Sequence, residues 1–358
     1  MADGSKAISA ITNEPRWSTD LTVHRMQAFA FGYGPKDDRA SVDRMFIRLP
    51  WFKETKKRIE CSTRMARNAR LENCVRAQGP SRSGKTSAAR ALIRENLPWR
   101  DEEGLHVPWG YLRIPAVPSA AIVGQELLRS LGDPSWTQRR SPAERLARIG
   151  EVSELVGLKT LIVDDLHHLV DSRGRRVQHA VADLFIDIGN ETGAPFLFFG
   201  LERARAIFDV NEQLRGRSGA PVEYLRLDWR NKAQGDLFRD SLGAVLKTLR
   251  CDLVFDKSME DPSIPFRLYC ASGGLLGYLI LIIRVAEDEC RTKKSPLGYE
   301  VLRRSVLAVI GGAKAWSGGR DPFHPDFVAQ PTDATLDAAK AVGMERGPGV
   351  GTGRGRKK

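Results

Sequence analysis

Gln78-Gly79-Pro80-Ser81-Arg82-Ser83-Gly84-Lys85-Thr86-Ser87 decides how this chain is read, because Gly79, Gly84, Lys85 and Thr86 complete the spacing G-x-x-x-x-G-K-[ST]. In that spacing the two glycines let the backbone curl so that successive amides point at the β- and γ-phosphates of a nucleotide. Lys85 adds a compact positive charge, and the Thr86 hydroxyl is placed to ligate a divalent cation. The flanks agree with this reading. Cys74-Val75-Arg76-Ala77 reads as a short strand leading into the loop, and Ser87 to Asn96, rich in Ala, Leu and Arg, reads as the helix leaving it.

Downstream, Lys159-Thr160-Leu161-Ile162-Val163-Asp164-Asp165 is an apolar run ending in two carboxylates. A buried parallel strand delivers acids to the ligand-binding edge of its sheet in this way. Asp164 is placed to hold Mg²⁺, and Asp165 to orient or deprotonate an attacking water. Further strands are expected at Gly110 to Ala116, Pro195 to Gly200 and Pro221 to Leu227. Helices are expected at Ala120 to Leu131, from Ser141 to about Val156, and at Val177 to Gly189. Ser141-Pro142-Ala143-Glu144 is a helix start, with Ser as N-cap, Pro at the first position and Glu three residues after the Ser. Strands alternating with helices predict an α/β fold with a five-stranded parallel sheet wrapped on both faces.

Beyond Trp229 the character changes. Asn231 to Leu249, Pro265 to Cys270, Leu275 to Glu289 and Glu300 to Ile310 read as helices with no comparable strand, which predicts a small all-helical lid. The expected organisation is an irregular N-terminal arm (1–45), an α/β nucleotide-binding domain (46–228), a helical lid (229–315) and a basic tail (316–358) too poor in apolar residues to fold. Trp51 to Arg70, with seven cations, reads as a helix whose charges face solvent or a polyanion.

With 42% hydrophobic residues the chain can build a substantial core, and its net charge of +12 favours a polyanionic partner such as nucleic acid. The five cysteines, Cys61, Cys74, Cys251, Cys270 and Cys290, are scattered and form no C-x-x-C pair. That pattern argues against a disulfide framework and against a zinc site. The most apolar stretch, Leu275 to Ile283, is too short to span a bilayer, so a reducing, cytoplasmic setting with no membrane partner is expected.

A five-stranded α/β core followed by a helical lid is the AAA+ plan, and from about residue 45 to 315 the chain resembles the TnsC/TniB transposition regulators. LIVDDLHHL (Leu161 to Leu169) resembles that family's Walker B block, His167 standing where its histidine stands. PFLFFGLERARAIFDVNEQLRGRS (Pro195 to Ser218) resembles its sensor-1 strand and the run to its arginine finger, and ASGGLLGYLILIIRVA (Ala271 to Ala286) resembles the glycine-rich approach to its lid helix. The resemblance implies ATP and Mg²⁺ as cofactors, with Gly79 to Ser87 around the phosphates and Thr86 and Asp164 on the metal. It implies Arg217, in preference to Arg215, as the guanidinium offered to a neighbouring subunit's γ-phosphate. It further implies rings or helical filaments on duplex DNA, recruitment of a DDE-type transposase with a possible targeting adaptor, and a bacterial cytoplasm with the protein on the nucleoid.

Three departures predict slow turnover. Asp165 is one methylene shorter than the family's usual Glu; Leu201 stands where a polar sensor-1 residue is common; and Leu275, Leu276 and Gly277 stand where many AAA+ proteins carry a sensor-2 arginine. Candidate contacts to DNA phosphates are Arg139 and Arg140 before the capped helix, and Arg173, Arg175 and Arg176 after the Walker B block. His167 and His168, as neighbours in a loop, are not expected to converge on one ion. Asp321-Pro322-Phe323 resembles a short partner-docking peptide near the family's C-terminal end. Two other classes compete. A STAND-like sensor NTPase would need a large sensor or repeat domain, and a small-molecule kinase would need a substrate-binding Asp/Arg set and a lid inserted in the core. The sequence offers neither.

Overall fold

The computed structural model describes residues 8–10, 17–32, 42, 45–66, 74–171, 174–250, 252–311 and 321–343. Arg67 and Arg70, among the cations of the Trp51 to Arg70 stretch, Arg173, and the closing Gly347 to Lys358 of the basic tail lie outside the described residues. The chain divides into two compact units, Met1–Leu225 and Arg226–Lys358.

The first unit is built on five parallel strands: β1 (Cys74–Gln78), β2 (Trp109–Arg113), β3 (Thr160–Asp164), β4 (Phe196–Gly200) and β5 (Val222–Glu223). Their order across the sheet is β5-β1-β4-β3-β2. Every residue of β3 and β4 is buried, which is why both read as unbroken apolar runs rather than alternating ones. The pleat divides them. Leu161, Val163, Phe196 and Phe198 join one core with α4 (Ala120–Ser130), α5 (Pro142–Leu155), α6 (His168–Asp171), α7 (Arg175–Thr192), α8 (Arg205–Val210) and α9 (Glu212–Gly216). The alternate residues Ile162, Leu197 and Phe199, also buried, fall outside that cluster, on the opposite face. There α2 (Pro50–Ala66) packs against β1, and α3 (Lys85–Glu95) packs against β2, β3 and β4. The predicted capping box of α5 is present: Ser141 Oγ accepts from the Glu144 amide at 3.3 Å, and Glu144 Oε2 accepts from the Ser141 amide at 2.8 Å.

The arm before residue 45 is not wholly irregular. It contains α1 (Leu21–Phe31), N-capped by Asp20, whose Oδ1 accepts from the amides of Thr22 and Val23. Val23, Met26, Ala30 and Phe31 recur at helical spacing and are buried, and α1 packs on α3. Eleven residues of pattern were masked in the sequence by flanks rich in Gly and Pro. A strand Ile8–Ala10 also pairs antiparallel with Met45–Ile47. β5 is shorter than expected: past Glu223 a single further bond, from the Tyr224 amide to the Gln78 carbonyl, ends the pairing.

The second unit holds α10 (Lys232–Leu249), α11 (Ile264–Ser272), α12 (Leu276–Lys293), α13 (Tyr299–Ile310) and α14 (Asp333–Lys340). Trp229 packs among Phe238, Phe266 and Tyr269 at its centre. Gly274 is required: a Cβ there would lie 2.2 Å from the Leu227 carbonyl oxygen. Part of the tail expected to stay unfolded belongs to this unit. Phe323 is fully buried and meets Tyr299 edge-on, Arg267 donates to the carbonyls of Pro322 and Phe327, and Asp321 pairs with Arg303. Composition averaged over the tail hid four well-placed apolar residues, Phe323, Leu336, Ala339 and Val342. Among the described residues no single helix is long and apolar enough to cross a membrane.

Candidate nucleotide site

The loop after β1 emerges between β4 and β5. Gln78 accepts from the Tyr224 amide at 2.7 Å, and the Gly79 amide donates to the Gly200 carbonyl at 3.3 Å. Gly79 admits no side chain, since a Cβ would sit 2.1 Å from the Tyr224 carbonyl oxygen. Arg82 and Gly84 take the left-handed conformation, at φ +64° and +96°. Alternation of hand along a short segment turns consecutive amides inward, the geometry of an anion-binding nest. Gly84 then caps α3 without a side-chain hydrogen bond, so the positive end of an eleven-residue helix faces the same space. Ser83 is buried and Ser81, Arg82, Thr86 and Ser87 are exposed around it. Lys85 lies inside the loop, 8% exposed, its Nζ donating to the carbonyls of Gly79 (2.8 Å) and Pro80 (2.6 Å).

Asp164 ends β3 opposite the start of α3 and is 1% exposed. Its Oδ2 accepts from Thr86 Oγ1 at 2.9 Å and from the Tyr111 hydroxyl at 3.2 Å, and its Oδ1 accepts from the Asp165 amide at 2.8 Å. Burial, and then the neighbouring Asp165 charge, push the Asp164 carboxyl above the usual carboxylate range. A buried carboxylate held in that state gains from a cation. Thr86 and Asp164 bring hard oxygen ligands together, so the residues present fit Mg²⁺.

Asp165 adopts φ +57°, and its Oδ2 is engaged by Arg113 Nε at 2.7 Å, which in turn raises the Arg113 pKa. Tyr111 and Arg113 were not singled out in the sequence. The signal was there: two residues apart near the carboxyl end of β2, they share a face at the edge where this class of sheet gathers its ligands. Register completes the contact by pairing Arg113 with Asp164. Tyr111 also carries Phe29 of α1, stacked at 3.8 Å between ring centroids.

His167 and His168 lie side by side, their rings 4.5 Å apart, and with Asp165 they present ligand atoms within 4.8 Å of one another. Their ligand atoms come closer together than neighbours in a loop were expected to bring them. Burial, then the adjacent His168, hold the His167 pKa below its usual value. Leu201 is buried directly after β4.

The structure places Arg217 at the other end of β1 from the chain's own phosphate loop. Its carbonyl accepts from the Cys74 amide at 3.0 Å, and its Nη2 donates to Asn190 Oδ1 of α7 at 2.8 Å. Arg215 is exposed near Glu212. Of the candidate phosphate contacts, Arg139 is exposed, and Arg175 and Arg176 are exposed in the first turn of α7. Arg140 is not available in the same way. Its guanidinium, 12% exposed, donates to the Ser135 carbonyl at 2.8 Å and lies 3.9 Å from Asp133, so it stabilises its own turn.

The strand order, the loop after β1 and the acid pair at the end of β3 define an AAA+ P-loop NTPase fold. Solved structures of the same fold include the Orc2 protein of Aeropyrum pernix in ADPNP and ADP complexes (TM-score 0.52, 14% identity, 78% of this chain and 72% of that one). Cdc6p of Pyrobaculum aerophilum is similar too (TM-score 0.52, 16% identity, 80% and 72%). The family model described as bacterial TniB protein matches residues 40–221, and the chain belongs to the TniB family. No curated protein sequence matches it.

Proposed function

We propose that this chain is an ATP-dependent, DNA-binding regulator of transposition that assembles on target duplex DNA and brings a DDE-type transposase to it. The observation that carries the proposal is the Thr86–Asp164 contact at 2.9 Å beside a glycine-built phosphate loop, in a member of the TniB family. A similar fold has been solved with ADPNP and ADP, which supports the nucleotide assignment.

On this reading the loop from Gly79 to Ser87 wraps the phosphates, and Lys85 exchanges its two carbonyl partners for phosphate oxygens. Thr86 and Asp164 hold Mg²⁺, which when bound neutralises charge on the phosphates. Asp165 orients the attacking water once Arg113 lets go of it. Arg217, remote from its own loop, completes the site of an adjacent subunit and makes hydrolysis depend on assembly. Arg139, Arg175 and Arg176 contact DNA phosphates without reading bases.

Electron microscopy of the full chain with ATP, Mg²⁺ and duplex DNA tests this. Rings or filaments that form with ATP and not with Lys85→Ala are the expected result. Bound nucleotide with no assembly on DNA would overturn the proposal in favour of a monomeric nucleotide switch.

A further inference from the structure

The segment that carries Arg217 is gripped from β1 itself. Arg76, the middle residue of that strand, reaches across to the loop after α9 (Glu212–Gly216), and its Nε and Nη2 both donate to the Gly219 carbonyl, at 3.2 and 2.8 Å. Arg58 of α2 donates to the next carbonyl, that of Ala220. The Cys74 amide bonds to the Arg217 carbonyl, and Cys74 and Ser218 form a single parallel bridge. Hydrogen bonds to the carbonyls of Arg217, Gly219 and Ala220 therefore fix the backbone of this segment.

Arg76 is the unexpected member. A mid-strand position in a parallel sheet covered on both faces ordinarily takes an apolar side chain. Here a half-buried guanidinium lies over the Phe208 ring, 4.8 Å from its centroid. Burial, then the charge of Arg205, push its pKa down. Holding a cation there costs free energy that a valine would not. The return is a planar fork on one carbonyl, which a point-charge lysine cannot reproduce.

We propose that Arg76 is a positioning residue for Arg217, setting where the guanidinium offered to the neighbouring subunit sits. This rests on the reading of Arg217 as that trans-acting group. β1 runs from Cys74 into the phosphate loop, so one strand bears the nucleotide loop at its end and the grip on the Arg217 segment at its middle. Nucleotide bound in one subunit is thereby mechanically tied to the group that subunit offers to the next.

The test uses mixed assemblies of full-length chains on duplex DNA with ATP and Mg²⁺. Asp165→Asn subunits bind ATP and assemble but cannot cleave it, and they keep Arg217, whereas Arg217→Ala subunits keep their site but offer nothing. Their mixture regains hydrolysis if Arg217 acts in trans. Arg76→Ala is then added to one partner at a time. A displacement of about 1 Å at a catalytic group costs on the order of a hundredfold. The expected result is a loss of at least about tenfold when the change sits on the Asp165→Asn donor, and little change when it sits on the Arg217→Ala acceptor. A merely structural role for Arg76 predicts equal losses on both sides, because β1 leads into the acceptor's own phosphate loop; equal losses, or none on the donor side, overturn the inference. Arg76→Lys, which keeps charge and stem, guards against misfolding and should reproduce the donor-side loss in part. If the parent mixture of Asp165→Asn and Arg217→Ala assembles on DNA and stays inert, the reading of Arg217 falls, and this inference with it.

Discussion

Tyr111→Phe removes one oxygen and leaves the stacking on Phe29 in place, so it isolates what the hydroxyl does for Asp164. The bond it deletes is 3.2 Å long and ends on a carboxylate that is 1% exposed. Hydrogen bonds to charged groups contribute about 1.5–3 kcal/mol, and the length places this one near the lower end, about 1.5 kcal/mol. Its loss pushes further up an Asp164 pKa that burial has already raised. The sign follows from linkage. A carboxyl whose folded pKa is raised makes the fold bind more protons than the unfolded chain, so stability falls as pH rises from 3.8 through the raised value. Tyr111→Phe extends that loss, and at neutral pH the first unit should melt about 3–6 °C lower. The difference should shrink as pH falls and Asp164 becomes protonated in both proteins. Mg²⁺-dependent nucleotide binding followed against pH should shift its acidic limb upward. A mutant whose melting deficit is independent of pH, with an unmoved binding profile, would refute the argument that the hydroxyl acts through the Asp164 charge.

Gly79→Ala must displace the Tyr224 carbonyl, 2.1 Å from the new methyl, and should abolish nucleotide binding measured by calorimetry while circular dichroism stays near that of the parent. Arg113→Ala frees the Asp165 carboxylate and is expected to raise DNA-assembled turnover several-fold in a phosphate-release assay. Changing Arg139, Arg175 and Arg176 together to Ala should lower the slope of log affinity against log salt by about one per lost phosphate contact, whereas Arg140→Ala should act mainly through stability. Phe323→Ala, which empties a fully buried position, should destabilise the second unit by about 3–5 kcal/mol in chemical denaturation.

The parts of this molecule legible from sequence are those whose physics is local. A phosphate loop needs its glycines at fixed spacing, a capping box needs Ser and Glu three apart, and a doubly covered strand reads as a solid apolar run. The parts missed are those created by pairing distant segments. Arg113 matters because parallel register sets it beside Asp164 and within reach of Asp165, and neither residue's neighbours announce that. Arg140 looked like one of a pair of free cations until its turn brought Ser135 and Asp133 under it. Phe323 sat in a tail whose average composition argued against folding, yet one buried ring, the Asp321–Arg303 ion pair and the Arg267 hydrogen bonds to two carbonyls hold the segment locally.

The same pairing bears on why hydrolysis should be slow in a lone subunit. Both groups assigned to the chemical step already have partners. Arg217 donates to the neutral amide oxygen of Asn190, and Asp165 is paired with Arg113, whose side chain is 69% exposed. Neither partner is strong. A neutral hydrogen bond contributes about 1 kcal/mol, and an ion pair this exposed about 0–1 kcal/mol after screening. On the proposed reading, a γ-phosphate presented by an adjacent subunit would offer charge-assisted bonds about twice as strong as the Asn190 contact, so the guanidinium would transfer once assembly brought the phosphate within reach. Asp165 meets no such competitor. What it gains on release is a water to orient, and its departure leaves Arg113 to find another anion. On the proposed reading the acid is therefore the later of the two groups to commit, and turnover would be governed by whatever draws Arg113 away from it.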